Sequence, residues 1–307
     1  MSRITFLDNA SAGENNIFRY IFTIILTWGA PIVFQIIIII YALSILSSQG
    51  MDIGSSLLDV TSNSMVLIAL VGVTSVVSII FLYIGVRFIH QRKFISLVST
   101  DSSFSWRKLL KGGGIWFAIL SVSTLISLYL DPGGLEITFN PSSFTLLLVL
   151  SLLVFPIQAS FEELFFRGYL MQGFGLLSKK PVIPLIITSV IFASLHYFNG
   201  SYTLLSVDIV LQVFILGLTL GIIVLGENRL ETAMGVHISN NIFVSLIVNS
   251  PDNFGQNMPS LFTDYSPPDP LYNTLGMIFY ALVLLTIVFW GKKENLYRVF
   301  RWDKSSD

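Results

Sequence analysis

The sequence predicts an all-α fold, a polytopic membrane helix bundle of about eight transmembrane helices with both termini cytoplasmic. Three observations carry that prediction. The 307 residues are 53% hydrophobic and 11% charged, where a soluble domain carries about 25% charged residues, and the mean hydropathy is +0.77. Eight apolar runs approach the roughly 20 residues that a spanning helix needs. Lysine and arginine gather in alternate connections between those runs, as they do on the cytoplasmic side of membrane proteins.

The runs cover about 20–46, 65–88, 113–130, 143–170, 182–198, 204–225, 232–248 and 271–290. Pro31 predicts a kink in the first. The polar stretch 1–16 has no short apolar core followed by a small-residue cleavage site, so no cleavable signal peptide is expected and the first run would serve as a signal anchor. There are no cysteines, which removes disulfide and thiol chemistry. The pattern reads as a single integral membrane domain over 1–307.

Basic residues orient the bundle. The second connection holds Arg87, Arg92, Lys93, Arg107, Lys108 and Lys111, the fourth Lys179 and Lys180, the sixth Arg229, and the tail Lys292, Lys293, Arg298, Arg301 and Lys304. The alternate connections hold acids: Asp52 and Asp59, then Asp131 and Glu136, then Asp252, Asp264 and Asp269. A wrong span count would scatter basic residues onto both faces. The basic connection 87–111 fits contact with anionic lipid head groups, and equally an ordinary orientation signal.

Charges inside the fourth run need a reason, because each costs about 2.5–3.5 kcal/mol near a bilayer centre. The stretch Ser160–Leu170 reads SFEELFFRGYL. Glu163 and Arg167 are four apart, share a helical face and can pair. Glu162 is turned about 100° from Glu163 and is expected to point elsewhere. A buried ion pair that fixes helix packing accounts for Glu163 and Arg167, but not for a second acid. His196 lies near the end of the fifth run and His237 early in the seventh. Phe192, four before His196, can pack that ring, and Asn241, four after His237, presents donors to the same space. Asn240 is expected to point away as a structural residue, and His90 reads as interfacial with no role. Ser160, Ser194 and Ser239 read as helix-packing residues.

Glu162-Glu163-x-x-x-Arg167, Phe192-x-x-x-His196 and His237-x-x-x-Asn241, each on its own membrane helix and in that order, resemble the CPBP family of intramembrane proteases. That family includes the type II CAAX prenyl endopeptidases and the bacteriocin-processing or immunity proteins called Abi. The resemblance covers about 145–249, the core region with all three motifs. It implies an endopeptidase in which Glu162 is the general base and His196 helps hold or polarise the attacking water. It implies further that His237 and Asn241 form the oxyanion hole, that Glu163 and Arg167 are a supporting ion pair, and that Phe192 supports His196.

Two histidines and a glutamate can also bind zinc with an open position. The His-Glu-x-x-His pattern is absent, however, and the ligands would come from three helices. The expectation is no cofactor and no metal, with zinc as the alternative. Two other classes compete: a non-catalytic scaffold or immunity protein, and a proton-coupled transporter that uses intramembrane Glu, His and Arg as a relay. Related halves, the usual mark of a transporter, are missing. Expected partners are membrane lipids and a membrane-associated peptide or protein substrate, prenylated CAAX proteins among them, and not nucleic acid. The expected location is a prokaryotic plasma membrane.

Overall fold

In the computed structural model, which describes residues 5–49, 63–178, 180–251 and 258–300, each of the eight apolar runs is helical. Asp52, Asp59, Lys179, Asp252, Arg301 and Lys304 lie outside the described residues. The helices are α1 (Ile17–Ser48), α2 (Ser64–Ile84), α3 (Trp106–Leu130), α4 (Pro141–Glu163), α5 (Val182–Ser194), α6 (Thr203–Glu227), α7 (Glu231–Leu246), α8 (Pro270–Val288) and the short α9 (Lys293–Phe300). Local chemistry sets several ends. Asn16, Asn63, Ser105, Asn140 and Asp269 each turn a side-chain oxygen onto free N–H groups of the first turn. Pro141 and Pro270 occupy the opening turns of α4 and α8, where a missing N–H costs nothing. Asn228 closes α6 in the left-handed conformation, at φ 54°. Helix α1 is continuous through Pro31.

Seven helices among the described residues are long and apolar enough to cross a membrane, once α2 is extended to Ile89, α4 to Gly175 and α5 to Asn199. The seventh run differs from the expectation. Helix α7 has 16 residues, about 24 Å at 1.5 Å per residue, against a hydrocarbon core of about 30 Å. Its chain turns instead into strand β2 (Val248–Asn249). Strand β3 (Phe262–Thr263) pairs with β2 in parallel and with β1 (Glu136–Ile137) antiparallel. Strand β3, part of a connection that reads from sequence as a loop without a role, thus ties the acidic ends of the bundle together. A two-residue strand is too short to show a period of two, so no sequence pattern marks it.

At the opposite end the basic connections converge. Phe6 N–H donates to Asn228 Oδ1 at 2.8 Å, Glu14 N–H to the His90 carbonyl at 2.8 Å, and Leu230 N–H to the Val98 carbonyl at 2.9 Å. Arg229 pairs with Asp101 at 2.5 Å and with buried Glu231 at 2.7 Å. His90 corrects its sequence reading. It is fully buried, with Nδ1 2.9 Å from the Glu14 carbonyl and Nε2 2.8 Å from the Tyr169 hydroxyl. A ring with two partnered nitrogens can be enclosed, and an interfacial residue has no such need. Asp208, a charge inside α6, is also buried. It accepts from Asn273 Nδ2 on α8 at 2.7 Å.

Small residues set the central crossing. Gly112 lies against the Thr232 backbone, and Gly235 against the Leu109 carbonyl. With no side chains between them, α3 and α7 approach backbone to backbone, which is the usual way for membrane helices to gain packing where lipid provides no hydrophobic drive. The crossing brings the buried ring of Trp116 on α3 beside α7.

Candidate active site

The site is built on α4, α5 and α7, with one support from α6. Directly after Glu163 the α4 chain widens into a π-helix over Leu164–Met171, all of it buried. Such insertions redirect side chains and are frequent at functional sites. Arg167 sits in this segment and still reaches back one turn. Its Nη1 donates to Glu163 Oε1 at 2.6 Å, and its Nη2 to the Gly217 carbonyl of α6 at 3.2 Å. The guanidinium also stands 4.4 Å from the centre of the Phe192 ring, a cation–π contact. Glu163 and Arg167 are 0% and 1% exposed. Full enclosure of an ion pair is tolerable only with such added partners.

His237 joins the two glutamates. Its Nδ1 lies 2.8 Å from Glu163 Oε1, and its Nε2 lies 3.4 Å from Glu162 Oε2. The expectation that Glu162 points elsewhere is therefore corrected. The two carboxyls leave α4 at different angles and meet opposite nitrogens of one imidazole. A helical wheel fixes directions around one helix and is blind to a ring arriving from another. Glu162 Oε2 and Glu163 Oε2 are buried without hydrogen-bond partners. Glu162 as a whole is half-buried, so the cluster opens on that side.

The remaining polar groups line up on Glu162. Gln158 Nε2 donates to Glu162 Oε1 at 2.5 Å, and Asn241 Nδ2 donates to Gln158 Oε1 at 2.8 Å. Asn240 does not point away: its Nδ2 donates to Asn241 Oδ1 at 3.2 Å, and its Oδ1 accepts from Trp116 Nε1 at 3.2 Å. Sequence reasoning missed Gln158 and Trp116. Gln158 precedes Glu162 by one helical turn, a spacing at which an amide and an acid can pair, and that signal was readable. Trp116 carries none, because its role depends on the α3–α7 crossing.

His196 is placed more loosely. Its ring packs edge-on against Phe192 at 4.8 Å, and its Nδ1 lies 2.8 Å from the Phe192 carbonyl. Phe192 in turn meets His237, with ring centres 5.7 Å apart. Among the described residues no hydrogen bond joins His196 to Glu162 or His237. The bond to its own helix orients His196, and Nε2 has no hydrogen-bond partner among the described residues. No group of three or more His, Cys, Asp and Glu side chains among the described residues is arranged to hold a metal ion. A half-buried acid with one tethered oxygen and one free oxygen, next to an imidazole and a row of amides, can move a proton and stabilise a developing negative charge.

Residues 141–243, which contain all three motifs, match the family described as type II CAAX prenyl endopeptidase Rce1-like. The chain is 28% identical over 287 residues to an uncharacterized protein, YyaK, of Bacillus subtilis (strain 168), covering 92% of this chain and 95% of that protein. No solved structure matches. The helix-borne glutamates, histidines and asparagine thus all lie within the segment that matches the Rce1-like family.

Proposed function

We propose that the chain is a metal-independent glutamate endopeptidase that hydrolyses a peptide bond of a membrane-associated protein or peptide, prenylated CAAX proteins among the candidates. The observation that carries the reading is the free, buried Oε2 of Glu162, 3.4 Å from His237 Nε2, on a carboxyl whose other oxygen Gln158 holds.

In this reading Glu162 takes a proton from water as the water oxygen bonds to the scissile carbonyl carbon. Negative charge passes to the carbonyl oxygen, where His237 Nε2–H and the second N–H of Asn241 receive it. The carbon–nitrogen bond then breaks, and Glu162 returns its proton to the leaving amine. His196 holds the water from the opposite side. The charge count supports these roles. Glu163, fixed by Arg167, accepts a hydrogen bond from His237 Nδ1–H, so Nε2 can donate only if the imidazole carries both protons. Two carboxylates, one guanidinium and one imidazolium then sum to zero, the arrangement an enclosed site tolerates best. A preorganised donor pair of this kind lowers the barrier by about 3–4 kcal/mol per donor. The basic end of the bundle would face the cytoplasm of a prokaryotic cell, and the Bacillus relative accords with that source.

The test is cleavage of fluorogenic peptides, farnesylated CAAX peptides included, by the purified protein and by Glu162→Gln. Cleavage by the wild type, unchanged by a chelator and abolished in a variant that melts normally, is the expected result. Cleavage that the chelator stops would replace the glutamate mechanism with a zinc one. A well-folded wild type that cleaves no peptide in the set would favour a scaffold.

A further inference from the structure

Trp116, Asn240, Asn241, Gln158 and Glu162 form one continuous chain of hydrogen bonds drawn from α3, α7 and α4. Its links measure 3.2, 3.2, 2.8 and 2.5 Å from the indole to the carboxyl. Taken alone, each amide could be turned either way, since its oxygen and nitrogen ends are nearly the same shape. The ends of this chain remove the choice. An indole N–H only donates, so Asn240 must present its oxygen to Trp116 and its nitrogen to Asn241. Asn241 then accepts on oxygen and donates from nitrogen, and Gln158 does the same. A carboxylate only accepts, and a carboxyl is what stands at the last position. The direction set by the donor-only end matches the direction required by the acceptor-only end.

We infer that Gln158, Asn240 and Trp116 are positioning residues for Glu162. They fix Oε1 as the tethered oxygen and leave Oε2 as the atom that takes and returns the proton, an inference that rests on Glu162 being the base. A half-turn of the carboxyl about its last bond would exchange the two oxygens. Gln158, itself gripped by Asn241, opposes that turn. The same chain occupies one of the two N–H bonds of Asn241 and so aims the second. A set of bonds polarised in one direction strengthens each member, and the final acceptor is the group on which charge changes. A purely structural role for these amides would lower stability without altering the Glu162 carboxyl itself.

The full chain in lipid vesicles provides the test. The infrared carboxyl band that vanishes in Glu162→Gln belongs to Glu162. In Gln158→Leu, which keeps the size and removes both bonds, that band shifts. In Asn240→Leu, which breaks the chain two links away, it shifts in the same sense by a smaller amount. On any peptide the wild type cleaves, Gln158→Leu lowers kcat about 10- to 100-fold, the range for a hydrogen bond to a charged group, with KM within about twofold. A Glu162 band that stays in place in either folded variant overturns the inference. Should Gln158→Leu fail to fold, Asn240→Leu alone decides it. The band needs no substrate, so loss of the protease reading and loss of the positioning chain appear as separate results.

Discussion

Glu163 Oε1 is held at once by His237 Nδ1, at 2.8 Å, and by Arg167 Nη1, at 2.6 Å. One oxygen atom thus links the motif of α4 to the motif of α7, inside a pocket closed to solvent on every side of Glu163.

Removing the charge of Glu163 strands its partners. Glu163→Gln leaves a guanidinium that is 1% exposed without a counterion, at a cost of about 3–5 kcal/mol. Replacing both members, as Glu163→Gln with Arg167→Met, costs less than the single change, because no buried charge is then left unpaired. Thermal unfolding of the three proteins in one detergent checks the order. A double variant that melts below the single one would contradict it.

The α3–α7 crossing makes a second prediction. A methyl group on Gly235 would collide with the Leu109 carbonyl, whereas one on Gly114 meets nothing within 4 Å. Gly235→Ala therefore destabilises by about 1–3 kcal/mol or more. Gly114→Ala stabilises by up to about 1 kcal/mol through helix propensity. Melting temperatures of opposite sign relative to wild type are the expected outcome, and equal effects would refute the contact.

His90 predicts a pH dependence of stability. Burial, foremost, holds its imidazole below the ordinary value; the bond to the Glu14 carbonyl opposes this, and the nearby charges of Arg92 and Arg19 add to it. The folded state thus binds the His90 proton less readily than the unfolded chain does. The contribution is complete above the ordinary imidazole value of about 6.5 and is lost as the pH falls below it. A melting series across that window should fall toward acid in the wild type and fall less steeply in His90→Gln. Parallel curves would show that His90 is not the titrating group.

Much of this was readable from sequence, for reasons that differ by element. The helices were legible because lipid demands long apolar runs, and a run is a local property. The spacing of Glu163 and Arg167 gave their ion pair because both lie on one helix. Convergence was not legible. Glu162 and Glu163 meet on one ring because α7 brings His237 between them, and no single-helix projection contains that information. His90 looked interfacial because its neighbours in sequence are basic; its partners, Glu14 and Tyr169, lie 76 and 79 residues away in the chain. The partner of Asn240 is hidden for the same reason, since Trp116 is 124 residues distant. The small sheet left no trace because two residues cannot display a period.

Helix α7 is too short to cross the hydrocarbon core alone, and most of its residues are buried against other helices. A helix that faces lipid finds its height by matching its apolar length to the bilayer, tilting when the match is poor. Helix α1, with most of its apolar surface exposed, is free to answer membrane thickness in that way. Helix α7 is not. Its depth is set by backbone contact with α3 through Gly112 and Gly235, so His237 and Asn241 keep their distance from Glu162 whatever the thickness of the surrounding bilayer. Changes in lipid chain length should therefore move the outer helices around a centre that holds its geometry.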